Sequence, residues 1–176
     1  YGAFIQCETL MDVTIPDSVT NIDYGAFCYC TGLTSITIPD SVKIIDEIAF
    51  AGCNGLTSIE IPDSVTTIGV QAFSDCCNLT SVTIGVGVMN IGKGVFWSDE
   101  CLANITVDEN NKKYSSKDDV LFDKEKTALI LYPEGKQDNT YTVPDGVEKI
   151  GSYAFYGCDS LTSVAIPDSV TGIEKE

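Results

Sequence analysis

The sequence predicts a single solenoid domain over residues 1–176, of the α/β class but dominated by parallel strands. Three observations lead to this prediction: a 23-residue period, an L-x-x-I-x-I core inside each period, and a Pro-Asp pair after most of the cores. A chain that repeats one short unit stacks its copies in a row, because no single unit can bury its own apolar face.

The period is carried by the apolar residue that ends each core. Five of these residues lie 23 positions apart: Ile15, Ile38, Ile61, Ile84 and Val107. Val143 and Ile166 are also 23 apart, but 36 positions separate Val107 from Val143, so one unit carries 13 extra residues. The series predicts about seven coils.

Alternation within the core predicts a strand. In LTSITI (33–38), the two isoleucines share one face, whereas Ser35 and Thr37 point the other way. Pro39 has no N–H to donate to a sheet and therefore ends the strand, and a Pro-Asp pair suits the centre of a turn. A second short extended run, V-x-x-I, follows. We interpret the Ala49-Phe50 pair after it as one helical turn, which gives the fold its α/β label.

The extra residues fall in an insert over residues 108–142. Two apolar runs, Val120–Phe122 and Ala128–Leu131, flank a polar segment. Two short apolar runs around such a segment are typical of a β-hairpin. The coil that carries the insert has Asp138 and Tyr141 in place of the usual Leu and Ile, so we expect it to be distorted.

The full unit, L-T-S-I-T-I-P-D-S-V-T-x-I-G-x-x-A-F-x-x-C, resembles the BspA-type leucine-rich repeats of bacterial surface proteins, which are also numerous in some protozoa. The resemblance covers nearly the whole chain, and the insert resembles a variant unit of that family. It implies an exported protein, extracellular or at the cell surface, that adheres to a surface or matrix protein of a host or neighbouring cell. The family motif contains no catalytic residues, so none is assigned.

The charge balance excludes several classes of function. The net charge is −16, and the chain has ten Lys, no Arg and no His. Such a surface repels nucleic acid, and without Arg it cannot make bidentate contacts to guanine or phosphate. No apolar run is long enough for membrane insertion. Because the chain also lacks a His that could act as a general base near neutral pH, we predict a non-catalytic protein with no cofactor.

Two sets of polar residues hold equivalent places in their coils. The first set is Cys7, Cys30, Cys53, Cys76 and Cys158, and the second is Asp17, Asp40, Asp63 and Asp168. Stacked cysteines would lie about 5 Å apart, within disulfide reach, but thiols that all point the same way favour packing. We therefore predict buried, reduced thiols. A calcium ladder is conceivable for the aspartates, but their place in a turn explains them without a metal, and we assign no metal ligands.

The candidate partner-binding residues are aromatic: Trp97, just before the insert, and Tyr114, Tyr132 and Tyr141 within it. Aromatic side chains dominate binding hot spots, whereas the Ser/Thr-rich columns on the concave sheet face are small, and we interpret those columns as solvated. An alternative is that the four rings only pack the hairpin onto the coil. The sequence leaves both open.

Two other functions also stay open at this point. The chain could be a passive stalk that presents another domain. It could also recognise glycans, which the hydroxyl-rich face permits, although that face lacks a platform of aromatic side chains. We expect a monomer. Residues 1–4 repeat the sequence of residues 24–27, so the chain begins inside a unit, and we expect it to be a segment of a longer protein.

Overall fold

The chain forms the predicted solenoid of coils in a computed structural model, which describes residues 1–174. Fourteen strands lie in this range: β1 Asn21–Ile22, β2 Ile44–Ile45, β3 Ser58–Ile61, β4 Thr67–Ile68, β5 Ser81–Ile84, β6 Asn90–Ile91, β7 Asn104–Val107, β8 Tyr114–Lys117, β9 Val120–Asp123, β10 Ala128–Leu131, β11 Thr140–Thr142, β12 Lys149–Ile150, β13 Ser163–Ala165 and β14 Gly172–Ile173.

One aromatic ring marks each of seven coils, which we number by that ring: Phe4, Phe27, Phe50, Phe73, Phe96, Tyr132 and Phe155. The first five rings stack in a column, with centroids 5.2 to 5.9 Å apart. Tyr132 and Phe155 form a second stack at 5.5 Å. The rings align because the 23-residue repeat returns each one to the same place, and burying each interior ring is worth roughly 1.5–3 kcal/mol.

Parallel strands run along two sides of the stack. The core strands form the sheet β3-β5-β7, in which Ile59 pairs with Val82, 23 residues later. The corner strands, from the V-x-x-I runs, form the sheet β1-β2-β4-β6. In β3 the two isoleucines are buried and Ser58 and Glu60 are exposed. The predicted alternation is therefore confirmed, and the Ser/Thr columns face solvent.

The predicted helical turn at the Ala-Phe pairs is wrong, and residues 1–174 contain no helix. Each of these segments has two left-handed residues four positions apart, such as Gly25 (φ 61°) and Tyr29 (φ 57°), which a right-handed helix cannot include. Alternate N–H groups donate along the stack, as Phe27 N–H does to Ala49 O at 2.8 Å. The fold is thus a β-solenoid rather than α/β. No helix in the described range could cross a membrane.

The repeated IPDSV segment is the corner of each coil. Val42 N–H donates to the Pro39 carbonyl at 3.0 Å and closes the predicted turn. The serine adds a contact that the sequence did not predict. Ser41 donates its hydroxyl to the Val19 carbonyl of the preceding coil at 2.6 Å, and Ser64 does the same to Val42 at 2.8 Å. The corner therefore also joins one coil to the next.

The predicted core strand does not form in the first two coils. A cavity of about 600 Å³ lies on that face between these coils and β3. Its lining includes four carboxylates, Asp12, Asp17, Asp40 and Glu60, and no basic side chain.

The insert folds as a three-stranded meander. Its strands β9 and β10 are antiparallel, with Phe122 opposite Leu129, which confirms the predicted hairpin. A further strand that was not predicted, β8, joins β9 through Asp118 and Asp119, both left-handed. Strand β10 then pairs in parallel with β12, Leu129 opposite Ile150. The last strand of the meander, β10, is therefore also the corner strand of the sixth coil.

The insert divides the core into two clusters. The first five coils form one cluster, which Leu121 joins, whereas the sixth and seventh coils form another, which Val120 and Phe122 join. Successive residues of a strand point to opposite sides. Strand β9 therefore lies between the two clusters and contacts both.

Candidate binding surface

Tyr132 is fully buried and holds the ring position of the sixth coil, 23 residues before Phe155. Its hydroxyl donates to Asp138 Oδ2 at 3.0 Å, and Lys136 Nζ lies 3.6 Å from the same oxygen. Burial, together with the bond to Asp138, raises the pKa of Tyr132. This side chain holds the sixth coil together, and it is fully buried in the chain by itself.

Tyr141 is half-buried and lies in β11, opposite Val164 of β13. Its ring meets that of Tyr132 edge-on at 4.8 Å. Burial, and to a lesser degree the nearby Asp118, raises the pKa of Tyr141 to about 12. Tyr141 thus fills the inward place that Ile or Val holds in other coils, as its position in the repeat predicts.

Tyr114 is only 8% exposed and ends the ladder of corner strands. Its hydroxyl oxygen accepts the Ile91 N–H at 3.1 Å, where a regular coil would place a strand. The buried Asn111 positions it: the Asn111 Oδ1 accepts the Tyr114 N–H at 2.9 Å, and the Asn111 Nδ2 donates to the Gly85 carbonyl at 2.9 Å. Asn111 was not predicted, because one Asn in a polar insert carries no distinguishing signal.

Trp97 belongs to a partly exposed aromatic cluster, which we define as Trp97, Tyr153 and Tyr156. The indole stacks on Tyr153 at 5.5 Å and meets Tyr156 edge-on at 5.2 Å, and Tyr156 is 43% exposed. Neither tyrosine was predicted as a site residue. A signal existed, because Trp97 and Tyr156 hold the same repeat position in the fifth and seventh coils, where the sixth coil has Pro133.

A cavity of about 210 Å³ lies beside the aromatic cluster. Strand β10 lines it, together with the turn segments of the fifth and seventh coils. It exists because Ile130 continues a strand where Gly94 and Tyr153 begin a left-handed turn, so the sixth coil has no turn of this kind to fill the space. Trp97 Nε1 is buried and has no hydrogen-bond partner among the described residues.

The four predicted partner-binding residues therefore lie in different surroundings. Tyr132 and Tyr141 contact each other, Tyr114 caps a ladder, and Trp97 lies with Tyr153 and Tyr156. The packing alternative describes Tyr114 and Tyr132, since both are buried. Whether any of the four contacts a partner stays a prediction.

A family model described as the BspA type leucine rich repeat region matches this chain in six copies, over residues 1–123 and 135–176. The chain belongs to this family. The match confirms the resemblance seen in the repeated unit. It omits residues 124–134, which include all of β10, so the break in the match coincides with the break in the regular coils.

Solved structures of bacterial leucine-rich-repeat proteins resemble this BspA-type chain. A leucine-rich repeat protein from Eubacterium ventriosum is 26% identical, with a TM-score of 0.75 over 88% of this chain and 47% of its own. A leucine rich cell surface protein from Faecalibacterium prausnitzii is 34% identical, with a TM-score of 0.68 over 97% and 52%. The pneumococcal vaccine antigen PcpA is 27% identical, with a TM-score of 0.62 over 88% and 52%.

The BspA-type chain thus spans about half the length of these structures. No curated protein matches it.

All eight cysteines of the BspA-type chain are free. Of the five in the repeat, Cys30, Cys53 and Cys76 are buried as predicted, whereas Cys7 and Cys158 are half-buried, which corrects the prediction for those two. Cys7 lies in the first coil and Cys158 in the seventh, at the two ends of the described stack. In the interior, the Cys53 thiol donates to the Phe27 carbonyl at 3.1 Å, and burial raises the pKa of Cys53 to about 12.

Asp99 stands where the other coils place this cysteine, and it is fully buried. One carboxylate oxygen, Oδ1, accepts the Cys76 N–H at 2.8 Å. The other, Oδ2, is buried with no hydrogen-bond partner among the described residues. Burial raises the pKa of Asp99 to about 9, and the charges of Glu134 and Asp75 add to the effect. Asp99 is therefore protonated in the folded protein at neutral pH.

The corner aspartate Asp63 accepts the Val86 N–H of the next coil at 3.0 Å, so it joins two successive corners. In the described part of the chain, no three Cys, Asp or Glu side chains converge in a way that could hold a metal ion. Beside the cavity, the surface of the fifth and seventh coils presents aromatic rings and backbone groups.

Proposed function

We propose that the chain is the binding part of an exported cell-surface protein that adheres to a protein on a host or neighbouring cell, without catalysis. The observation that carries this proposal is the aromatic cluster, which lies partly exposed on a rigid scaffold. Tyr and Trp are enriched at binding hot spots, because they bury a large area at a low cost in conformational entropy. Similarity to a protein described as a leucine rich cell surface protein supports the location.

The hydroxyl columns are a weaker candidate for the same function. Their Ser and Thr side chains are exposed but small, so a partner would bury little apolar area on them, at roughly 25 cal/mol per Å². The charge of −16 also favours a partner that is not strongly acidic. We therefore place the adhesive surface at the aromatic cluster.

The test begins with a screen of purified matrix and cell-surface proteins against the chain on a biosensor. Trp97→Ala and Tyr156→Ala are then compared with Thr37→Ala and Thr83→Ala, which change exposed hydroxyls at the core-strand positions. We expect the aromatic changes to weaken binding by tenfold or more, about 1.4 kcal/mol. If the threonine changes weaken it more while all variants stay folded, the adhesive surface is the hydroxyl columns. If no protein binds, the stalk is the better hypothesis.

A further inference from the structure

Alternate N–H groups on the turn side of each regular coil donate to the next coil. In the second coil, Gly25 and Phe27 donate to the carbonyls of Glu47 and Ala49, at 3.0 and 2.8 Å. In the fourth coil, the equivalent N–H groups belong to Gln71, Phe73 and Asp75. They donate to the carbonyls of Lys93, Val95 and Trp97, at 3.1, 3.0 and 2.8 Å respectively. The acceptors are carbonyls of every second residue of the neighbouring segment.

This ladder stops at the fifth coil. The equivalent N–H groups belong to Gly94, Phe96 and Ser98, and none of them donates to another group among residues 1–174. The sixth coil cannot supply carbonyls in the usual places, because Ile130 and Leu131 continue strand β10 instead of forming the turn. The donors resume only at Tyr132, whose N–H donates to the Ala154 carbonyl at 2.8 Å.

The unpaired donors border the cavity of about 210 Å³. Gly94 and Phe96 line it, and so does Trp97, whose buried Nε1–H is a further donor with no partner in the described range. A buried donor without an acceptor is costly, so a ligand that brings acceptors to these groups gains more than one that binds on a satisfied surface. Tyr153 and Tyr156 lie across the cavity from the fifth coil.

The charges around the cavity select an uncharged ligand. Lys93 and Lys149 line it together with Glu134 and Glu174, so the ionisable side chains of opposite sign are equal in number. At the N–H groups of Gly94, Phe96 and the indole, a cation would find hydrogen-bond donors and no acceptor. An anion would meet the two glutamates in a chain whose net charge is −16. A neutral chain with carbonyl acceptors at alternate residues fits both the charges and the spacing of the donors.

We propose that the cavity binds an extended, uncharged peptide segment of a partner protein, whose alternate carbonyls accept from Gly94 and Phe96 as the next coil would. This inference rests on the proposed adhesive function and names its recognition mode. It is a form of strand addition, in which backbone hydrogen bonds give affinity and side-chain pockets give selectivity. The aromatic cluster covers the bound segment and excludes water from the new hydrogen bonds.

The probe is acetyl-Ile-Ala-Phe-Ala-Gly-amide, which copies residues 48–52 and is uncharged. Its acetyl, second-residue and fourth-residue carbonyls correspond to those of Glu47, Ala49 and Ala51, which satisfy the donors of the second coil. It is titrated to about 1 mM into the ¹⁵N-labelled chain. We expect saturable shifts of the Gly94 and Phe96 amides and of the Trp97 indole N–H.

Two variants and one control locate the site. Ala128→Phe fills the cavity from β10, and Trp97→Ala removes the buried donor; each should weaken the peptide about tenfold or more. Thr83→Ala, on the hydroxyl columns, should leave it unchanged. A charged peptide, acetyl-Asp-Ala-Asp-Ala-Gly-amide, should bind more weakly than the neutral one.

Three results would overturn the inference. The first is no shift of the Gly94 and Phe96 amides at about 1 mM peptide, which would leave these donors simply hydrated. The second is a shift with an uncharged oligosaccharide such as chitotriose but not with the peptide. The third is a partner protein that binds without moving these amides, which would leave the adhesive function standing. If the peptide binds as expected but no surface protein does, the adhesive function fails and the peptide site stands.

Discussion

In the first four coils, alternate turn-side N–H groups donate to the next coil, whereas the equivalent groups of Gly94 and Phe96 in the fifth coil do not. The regular coils use their backbone groups and their rings for stacking. The interruption leaves backbone donors, a cavity and three aromatic side chains available in one place. In a solenoid that stabilises itself by repetition, a binding surface is expected where the repetition stops.

The two regions also differ in how polar groups are buried. Regular coils bury thiols that donate to a carbonyl, whereas the fifth coil buries the carboxyl of Asp99. In place of a paired strand, the interrupted ladder ends on the hydroxyl of Tyr114. Polar side chains thus replace the backbone and thiol contacts of the regular coils, so the interruption should respond to pH and to conservative substitutions more than the regular stack.

Thiol labelling should separate the two regions most strongly. Cys53 is buried in the third coil with a pKa of about 12, whereas Cys101, next to the interruption, is exposed. Relative to an ordinary thiol, the higher pKa lowers the thiolate fraction about a thousandfold. We expect native labelling at Cys101 and labelling of Cys53 only in denaturant, followed by peptide mass mapping. A Cys30–Cys53 link, or equal labelling rates, would contradict this.

Removing a ring from the regular stack should be the most destabilising single change. Phe50 is fully buried between Phe27 and Phe73. We expect Phe50→Ala to lower the free energy of unfolding by roughly 3–5 kcal/mol, measured by urea titration. Phe4→Ala is the matched control, because Phe4 is 42% exposed and stacks on one side only, and it should cost less than half as much. Equal costs would refute a cooperative ring stack.

Restoring the repeat residue at Asp99 should stabilise the protein at neutral and basic pH. The folded pKa of Asp99, about 9, lies above its unfolded value of about 3.9. The contribution of the protonated Asp99 to the free energy of unfolding is therefore fully present below pH 4 and is lost as pH rises towards 9. Asp99→Cys should raise the free energy of unfolding at pH 8 by roughly 2–4 kcal/mol, with the gain disappearing near pH 4. Glu100→Gln, at an exposed position, is the control. A gain that does not change with pH would rule out this cause.

Tyr114→Phe should show what the hydroxyl cap contributes. The change leaves the Ile91 N–H without its acceptor while the ring stays in place. An unsatisfied buried donor costs roughly 1–3 kcal/mol, and hydrogen exchange at the Ile91 amide should speed up accordingly. Tyr24→Phe, at an exposed ring, should change neither quantity. Unchanged exchange at Ile91 in Tyr114→Phe would mean that water replaces the cap.

The smallest expected effect concerns the left-handed positions of the regular turns. Ile48 has φ 48°, where the two preceding coils have Gly2 and Gly25. A left-handed conformation costs a branched residue roughly 1–2 kcal/mol, which Gly does not incur. Gly loses more backbone entropy on folding, and this loss offsets about 0.5–1 kcal/mol of the gain. Ile48→Gly should therefore raise the melting temperature slightly. Ile44→Gly, in strand β2, should lower it. A loss at both positions would show that burial of Ile48 outweighs its strain.

Much of the fold could be predicted because it follows from local sequence patterns. The 23-residue period, the alternation at residues 58–61 and the two apolar runs of the hairpin each translate directly into a coil, a face or a strand pair. The Ala-Phe turns could not be predicted in this way. Nothing local shows that their N–H groups bond to the next coil rather than four residues back, because that choice depends on the neighbouring coil.

The candidate site was harder to predict than the fold. Trp97 stands out in the sequence as the single Trp, but its partners Tyr153 and Tyr156 lie more than fifty residues away. They come together because the sixth coil has no turn between them. Tyr132 was predicted as a candidate partner-binding residue because it lies in a polar insert. It is buried because it occupies the ring position of the sixth coil and stacks on Phe155.

By itself, the sequence determined the repeat, the family, the approximate number of coils and the position of the interruption. These follow from spacing alone, because a regular period leaves each coil one way to cover its neighbours. Only the tertiary structure decided the absence of helix in residues 1–174, the burial of Tyr114 and Tyr132, and the unpaired donors of Gly94 and Phe96. The physical reason is that a hydrogen bond or a contact between coils depends on two segments at once, and where the period breaks the sequence no longer states which segments meet.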